Sequence, residues 1–213
     1  MIFHKKRHCH CDVHFEINGH KIEVVSKYKY LGTIISFNLQ EKDDISRLQG
    51  SFNRKIGRTL RQFHAASIDI KMRLFNSLCL DMYGIELWDD MYGCSNLLKQ
   101  VAVSYHYALK RVLGLSKRES NHYVCFLLDQ LTFEHMRNYR MLKFYRWLYN
   151  CESPCILSNR HYWISNSRLK RRLDYLFFVK YGIDNVVDND MDAVISRMKF
   201  VQYREESSWQ AGE

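Results

Sequence analysis

Three groups of residues in this chain have the types and spacing that chemistry would need. The first is a pair of adjacent carboxylates, found twice, at Asp43-Asp44 and at Asp89-Asp90. Converging acids can hold two divalent cations about 4 Å apart, the arrangement that serves nucleotidyl transfer. The second is a dense set of imidazoles and thiols, His4, His8, Cys9, His10, Cys11 and His14, residue types that ligate zinc. The third is a row of guanidiniums, Arg47, Arg54, Arg58 and Arg61. Helical spacing keeps these four on one side of a helix, which suits either an ordinary solvated basic face or the neutralisation of phosphates.

The elements that must position these groups decide among them. Ile45, Leu48, Phe52, Ile56, Leu60 and Phe63 recur at three- and four-residue steps, which predicts an amphipathic helix over residues 43–64. Asp43 and Asp44 then sit in its first turn, where carboxylates complement the helix dipole. Asp89-Asp90 follows Leu87-Trp88 in a helical stretch. Neither pair lies between strand patterns, and neither has a third Asp on a neighbouring strand, so no catalytic residue is assigned. The His/Cys cluster is spaced Cys-x-Cys and His-x-His, whereas structural zinc sites use a wider pair and a distant second pair. Cys151 and Cys155, beside Pro154, make no convincing second pair. The cluster reads as a solvated basic loop with Lys5-Lys6-Arg7, a zinc-binding module being the weaker alternative, and no metal ligand is assigned. Asp188-Asn189-Asp190-Met191-Asp192 starts like a calcium loop, but Ala193 and Lys199 stand where glycine and the bidentate glutamate are required. Those acids read as a helix cap. The arginine row remains, opposite the apolar stripe.

Composition narrows the class. The chain has 213 residues, 46% of them hydrophobic and 14% aromatic, enough for a packed core in one or two domains. One proline and nine glycines favour helices over a loop-rich β protein. A formal charge of +9 implies a polyanionic partner, either nucleic acid or an acidic membrane surface. No apolar run reaches the ~18–20 residues that span a bilayer, so no membrane-spanning segment is expected, and no membrane is counted among the partners. Seven scattered cysteines without a secretory leader read as reduced thiols, and the expected location is intracellular, nuclear or cytoplasmic.

Along the chain, Asn18-Gly19 between two alternating runs predicts a two-residue hairpin. Its register sets Phe15 opposite Ile22 and Val13 opposite Val24 on a half-buried face, with Glu16 opposite Lys21 and His14 opposite Glu23 on the other. Residues 22–39 are β-rich, with Gly32 placed for a bulge or a close backbone approach. Leu74, Leu78 and Met82 form one helical stripe, Tyr83-Gly84 a bend, and Trp88 an anchor. Helices are expected over Leu97 to Leu113, ended by Gly114, and over Phe133 to Tyr149. A break follows at Cys151 to Cys155. Ser167 to Tyr181 begins with the basic block Arg168, Lys170, Arg171 and Arg172, which suits phosphate contact, a nuclear address or a solvated helix end. A last helix runs from Met191 to Phe200, and the tail from Glu205 frays. The expected fold is mainly α with a small N-terminal antiparallel β element (α+β) and a helical bundle, in segments 1–38, 39–66, 67–150 and 151–213.

Two stretches carry a resemblance. Val25-Ser26-Lys27-Tyr28-Lys29-Tyr30-Leu31-Gly32-Thr33-Ile34-Ile35-Ser36, followed by the basic amphipathic helix, resembles the palm-to-thumb junction of reverse transcriptases from LINE-type (non-LTR) retrotransposons. Leu74 to Trp88, with Tyr83-Gly84, Glu86 and Trp88, resembles the helix–turn–helix that follows the thumb in that family. The family's usual proline is missing there; Asp81-Met82 occupies its neighbourhood. Met1-Ile2-Phe3 resembles the end of a segment that precedes the hairpin, so the expected N-terminus is internal to a longer frame. The resemblance makes Tyr30, Leu31, Gly32, Tyr83, Gly84 and Trp88 the family-motif residues. It implies a fragment of an RNA-directed DNA polymerase with palm edge, thumb-like helix and later helical region. Arg47, Arg54, Arg58 and Arg61 would follow RNA or an RNA/DNA hybrid along its phosphate backbone. The catalytic carboxylates and their magnesium would belong to a palm outside this chain, leaving it without cofactor or activity of its own, and the palm and fingers would be its protein partners. The alternative is a co-opted helical protein-interaction module with no nucleic-acid function.

Overall fold

The computed structural model describes residues 15–23, 25–37, 41–85, 88, 95–154, 173–183 and 190–210. The His/Cys cluster at 4–14, Asp89-Asp90, the basic block at 168–172 and the Asp188-Asn189 start of the cap lie outside them, as does the expected Val13–Val24 pair. The fold is mainly α, with two small antiparallel hairpins near the N-terminus. The chain divides into two compact units, Met1–Gly84 with Trp88–Ser104, and Ile85–Leu87 with Tyr105–Glu213.

In the first unit, β1 (Phe15–Ile17) pairs with β2 (His20–Ile22), Phe15 opposite Ile22 and Glu16 opposite Lys21, the expected register. Asn18 and Gly19 take φ of 52° and 75°, the two left-handed positions of a type I′ turn. The expected half-buried face is not formed: Phe15, Ile17 and Ile22 are all exposed. A ribbon of two three-residue strands has no third layer with which to cover a face.

Gly32 is not a bulge but half of a second turn. β3 (Lys27–Tyr30) and β4 (Thr33–Ser36) pair antiparallel around it, and Leu31 and Gly32 take φ of 45° and 88°. Glycine accepts that conformation; a leucine there costs roughly 1–2 kcal/mol. The Leu31 side chain is 81% exposed and regains little by packing. Leu31→Asn is therefore expected to stabilise the unit by about 1 kcal/mol, read as a higher urea midpoint at unchanged slope. A lower midpoint would show that the leucine side chain makes a contact that matters.

β4 packs on α1 (Lys42–Gln62), whose Ile45, Leu48, Phe52 and Ile56 are buried as the periodicity predicts. α2 (Ile68–Leu74), capped by Ser67, runs straight into a π turn over Phe75–Cys79, closed by the Leu80 N–H on the Phe75 carbonyl at 3.2 Å. The Leu74–Leu78–Met82 stripe needs correction: Met72, Phe75, Cys79 and Met82 are buried, whereas Leu78 is half exposed. The two columns are neighbours on the helix surface and both are apolar, so periodicity cannot choose between them. Packing does, through the Phe75 ring edge-on to Phe52 at 6.1 Å and the Cys79 thiol 3.7 Å from the Thr59 hydroxyl. Tyr83-Gly84 forms the expected bend and Trp88 is buried.

α3 (Ser95–Leu113) gives its first half to this unit and its second half to the other. The second unit adds α4 (Asn121–Leu127), α5 (Phe133–Asn150), a second π segment (Tyr175–Lys180) and α6 (Met191–Gln210). Tyr105, Leu109, Met141, Leu142, Tyr181 and Met198 are fully buried, and the Tyr105 hydroxyl donates to the Leu131 carbonyl at 2.8 Å. In α5, Phe144 and Tyr145 are half-buried while Trp147 and Tyr149 are exposed. α6 does not fray at Glu205 but continues to Gln210. Buried Gln202 accepts the Thr132 N–H at 2.9 Å, Tyr203 packs on Phe126, and Glu205 pairs with Lys180 at 3.3 Å. These anchors hold the helix where hydropathy alone predicts a free end.

Candidate nucleic-acid interface

α1 positions the arginine row because its two faces differ so sharply. With Ile45, Leu48, Phe52 and Ile56 turned inward, positions 54, 58 and 61 point to solvent, and all three arginines are exposed. Among the described residues none of the three has an ion-pair partner. Arg54 lies along the helix over Gly50, where an added Cβ would stand 3.4 Å from its Nη1.

Arg47 behaves differently. Its Nε and Nη2 donate to one oxygen of Asp44, at 3.0 and 2.8 Å, and that same Oδ1 accepts the backbone N–H of Ile34 at 3.0 Å. The Asp44 side chain is 4% exposed. So Asp44 is more than a dipole partner in the first turn: it ties β4 to α1 and holds Arg47 in the tie. Neighbouring cations are also paired, Lys27 with Asp43 at 2.8 Å and Lys55 with Asp81. Asp43, Asp44 and Asp81 thus take up Lys27, Arg47 and Lys55, while Arg54, Arg58 and Arg61 stand together on one helix face without an ion pair; among the described residues Lys42, Lys71 and Arg73 have none either.

The two motif stretches meet. Leu31 and Gly32, from the second hairpin turn, and Met82 and Tyr83, from the bend after the π turn, line one cavity of about 200 Å³ with Arg47, Ser51 and Asp81. Tyr30 stands exposed on β3, Tyr83 is exposed, and Trp88 is core. Asp43 and Asp44 do not converge on a common point; one faces Lys27 and the other Ile34 and Arg47. Among the described residues no group of three His, Cys, Asp or Glu side chains could hold a metal ion. Burial pushes the Cys79 thiol above its ordinary range, which favours the neutral thiol over the thiolate. No described helix is long and apolar enough to cross a membrane. The i,i+3 spacing of Asp44 and Arg47 was a visible signal for their pairing; the Lys55–Asp81 pair, linking residues far apart in sequence, had none. No family model, no curated protein and no solved structure matches this chain.

Proposed function

We propose that the first unit binds the phosphate backbone of RNA or an RNA/DNA hybrid along α1, as the thumb-like part of a LINE-type reverse transcriptase does. The observation that carries this reading is a row of guanidiniums without ion-pair partners. Arg47, Lys27 and Lys55 each have a carboxylate, while Arg54, Arg58 and Arg61 share one helix face with none. Three guanidiniums aligned on one helix face without a counter-charge suit a line of phosphates. The overall charge of +9 agrees in sign. In this reading the chain works inside the cell, in nucleus or cytoplasm. Nucleotide addition is the task of a palm that supplies carboxylates and magnesium, and this chain contributes grip.

The test is binding of an RNA–DNA hybrid over a range of potassium chloride concentrations. Arg54→Glu/Arg58→Glu/Arg61→Glu is expected to weaken binding about 30-fold at 100 mM salt and to flatten the log–log salt slope by about 2–3. Salt-independent binding, or an unchanged slope in the folded variant, sinks the reading. One observation favours the protein-interaction alternative: Phe15, Ile17, Ile22, Tyr28 and Tyr30 are exposed on the two hairpins, apolar surface that a protein mate would cover. Self-association without affinity for the hybrid would establish that alternative instead.

A further inference from the structure

The second unit holds a cluster of cations apart from the α1 row. α3 ends at Leu113, and Gly114 (φ 71°) turns the chain into Leu115-Ser116-Lys117-Arg118. Lys110, Arg111, Lys117 and Arg118 thus gather about one helix end, with Glu119 the nearest acid in sequence. Among the described residues, Arg111, Lys117 and Arg118 have no ion-pair partner.

The helix dipole explains only part of this. Cations in the last turn complement the partial negative charge of the helix end, and buried Lys110 donates to the Lys117 carbonyl at 3.0 Å. Lys117 and Arg118, however, lie beyond the last turn and repel Arg111 and each other. Tyr107, half exposed, orders the group: its ring centroid lies 4.8 Å from Lys117 Nζ and 5.9 Å from Arg111 Cζ. Both cations therefore stand within about 11 Å of each other, close enough that a bridging anion relieves their repulsion. Exposed cation–π contacts are weak, enough to bias a rotamer but not to neutralise a charge. The Ser116 hydroxyl accepts the Arg118 N–H at 3.2 Å and fixes the turn. The outcome is a set of positive charges placed in advance and left without a counter-charge.

We propose that Arg111, Lys117 and Arg118, ordered by Tyr107 and the turn after α3, form a phosphate clamp for a nucleic-acid backbone. It extends the backbone-binding function proposed for α1 to a second surface and does not depend on α1 itself. A duplex strand rises about 3.4 Å along the helix axis per phosphate, so neighbouring phosphates fall within the span of the clamp. The guanidiniums take phosphate oxygens in pairs, and the ammonium acts as a point charge.

The experiment uses the full chain and a 20-base-pair RNA–DNA hybrid, followed by fluorescence anisotropy across potassium chloride concentrations. Arg111→Glu/Lys117→Glu/Arg118→Glu is expected to weaken binding about tenfold or more at 100 mM and to flatten the salt slope by about 2. Tyr107→Leu, which leaves the net charge unchanged, is expected to weaken binding about two- to fivefold, whereas Tyr107→Phe keeps the ring and binds like the parent. A folded charge-reversal variant with unchanged affinity and slope overturns the proposal. So does tighter binding of the parent to phosphatidylserine vesicles than to the hybrid, lost in the same variant. With the α1 variant measured alongside, the two surfaces can fail separately. A loss confined to the α1 variant overturns the clamp and keeps the α1 row; a loss confined to the turn variant does the reverse.

Discussion

Replacing Arg47 with alanine is expected to destabilise the first unit by about 3 kcal/mol and to leave the salt slope of nucleic-acid binding unchanged. The reason is the company Arg47 keeps. Asp44 is buried, and a single oxygen of it collects both guanidinium bonds and the Ile34 N–H. Truncating Arg47 leaves a carboxylate out of water with one backbone donor, the case in which breaking a buried pair costs most. Arg47 is itself 29% exposed, so some water reaches the site and the cost falls at the low end of the usual range. Asp44→Ala loses the same bonds but strands no buried anion, and the freed guanidinium turns to solvent; about 2 kcal/mol is expected. The double variant should then be no less stable than Arg47→Ala alone, a coupling of at least about 2 kcal/mol. Urea unfolding of the parent, both single variants and the double variant measures it. If Arg47→Ala keeps its stability and flattens the salt slope by about one, Arg47 belongs to the phosphate-contacting row and the tie between β4 and α1 lies elsewhere.

That tie also shows what could be read in advance and what could not. The Asn18-Gly19 hairpin was legible because turn chemistry is local, and α1 because both of its faces are patterned. The second hairpin was hidden by Leu31, a residue that type I′ turns disfavour. A bond from Asp44 to the strand beyond the turn, at Ile34, helps hold the turn in spite of that preference. Nothing in the local sequence announces it. The π turn after α2 left two apolar columns to choose from, and only Phe52 and Thr59, from another helix, decide for Phe75 and Cys79. Of the four arginines, three stand in solvent as expected and the fourth is withdrawn. Asp44–Arg47 spacing was visible, but the burial that makes the pair strong depends on β4 arriving over the helix. The clamp was out of reach of periodicity, because Tyr107 and Lys117 meet only once Gly114 has reversed the chain.

Acidification from pH 7.5 to pH 5 is expected to cost the second unit about 2 kcal/mol through His135 alone. His135 lies buried near the start of α5. Its Nδ1 is 2.9 Å from the Thr132 hydroxyl, and its Nε2 is 3.6 Å from Glu205 Oε2, too far for a hydrogen bond. Burial pushes the imidazole down, and the Lys180 ammonium pushes it further; Glu205 and Glu134 oppose, and His122 adds slightly to the downward side. Lys180 is shared by both carboxylates, at 2.8 Å from Glu134 and 3.3 Å from Glu205, which blunts their pull on the ring. The net result is a fall from 6.5 to about 4. Below pH 6.5 the unfolded chain takes a proton that the folded chain refuses, so the unfolded state binds more protons and stability falls as pH falls. The contribution is complete above pH 6.5 and gone by about pH 4. His135→Gln keeps a polar partner for Thr132 but cannot titrate. Unfolding free energies of parent and variant at pH 7.5, 6 and 5 should diverge, the variant losing about 2 kcal/mol less over the interval. Parallel losses in the two proteins would mean that the folded state admits the proton, with the ring drawn onto Glu205 as it charges.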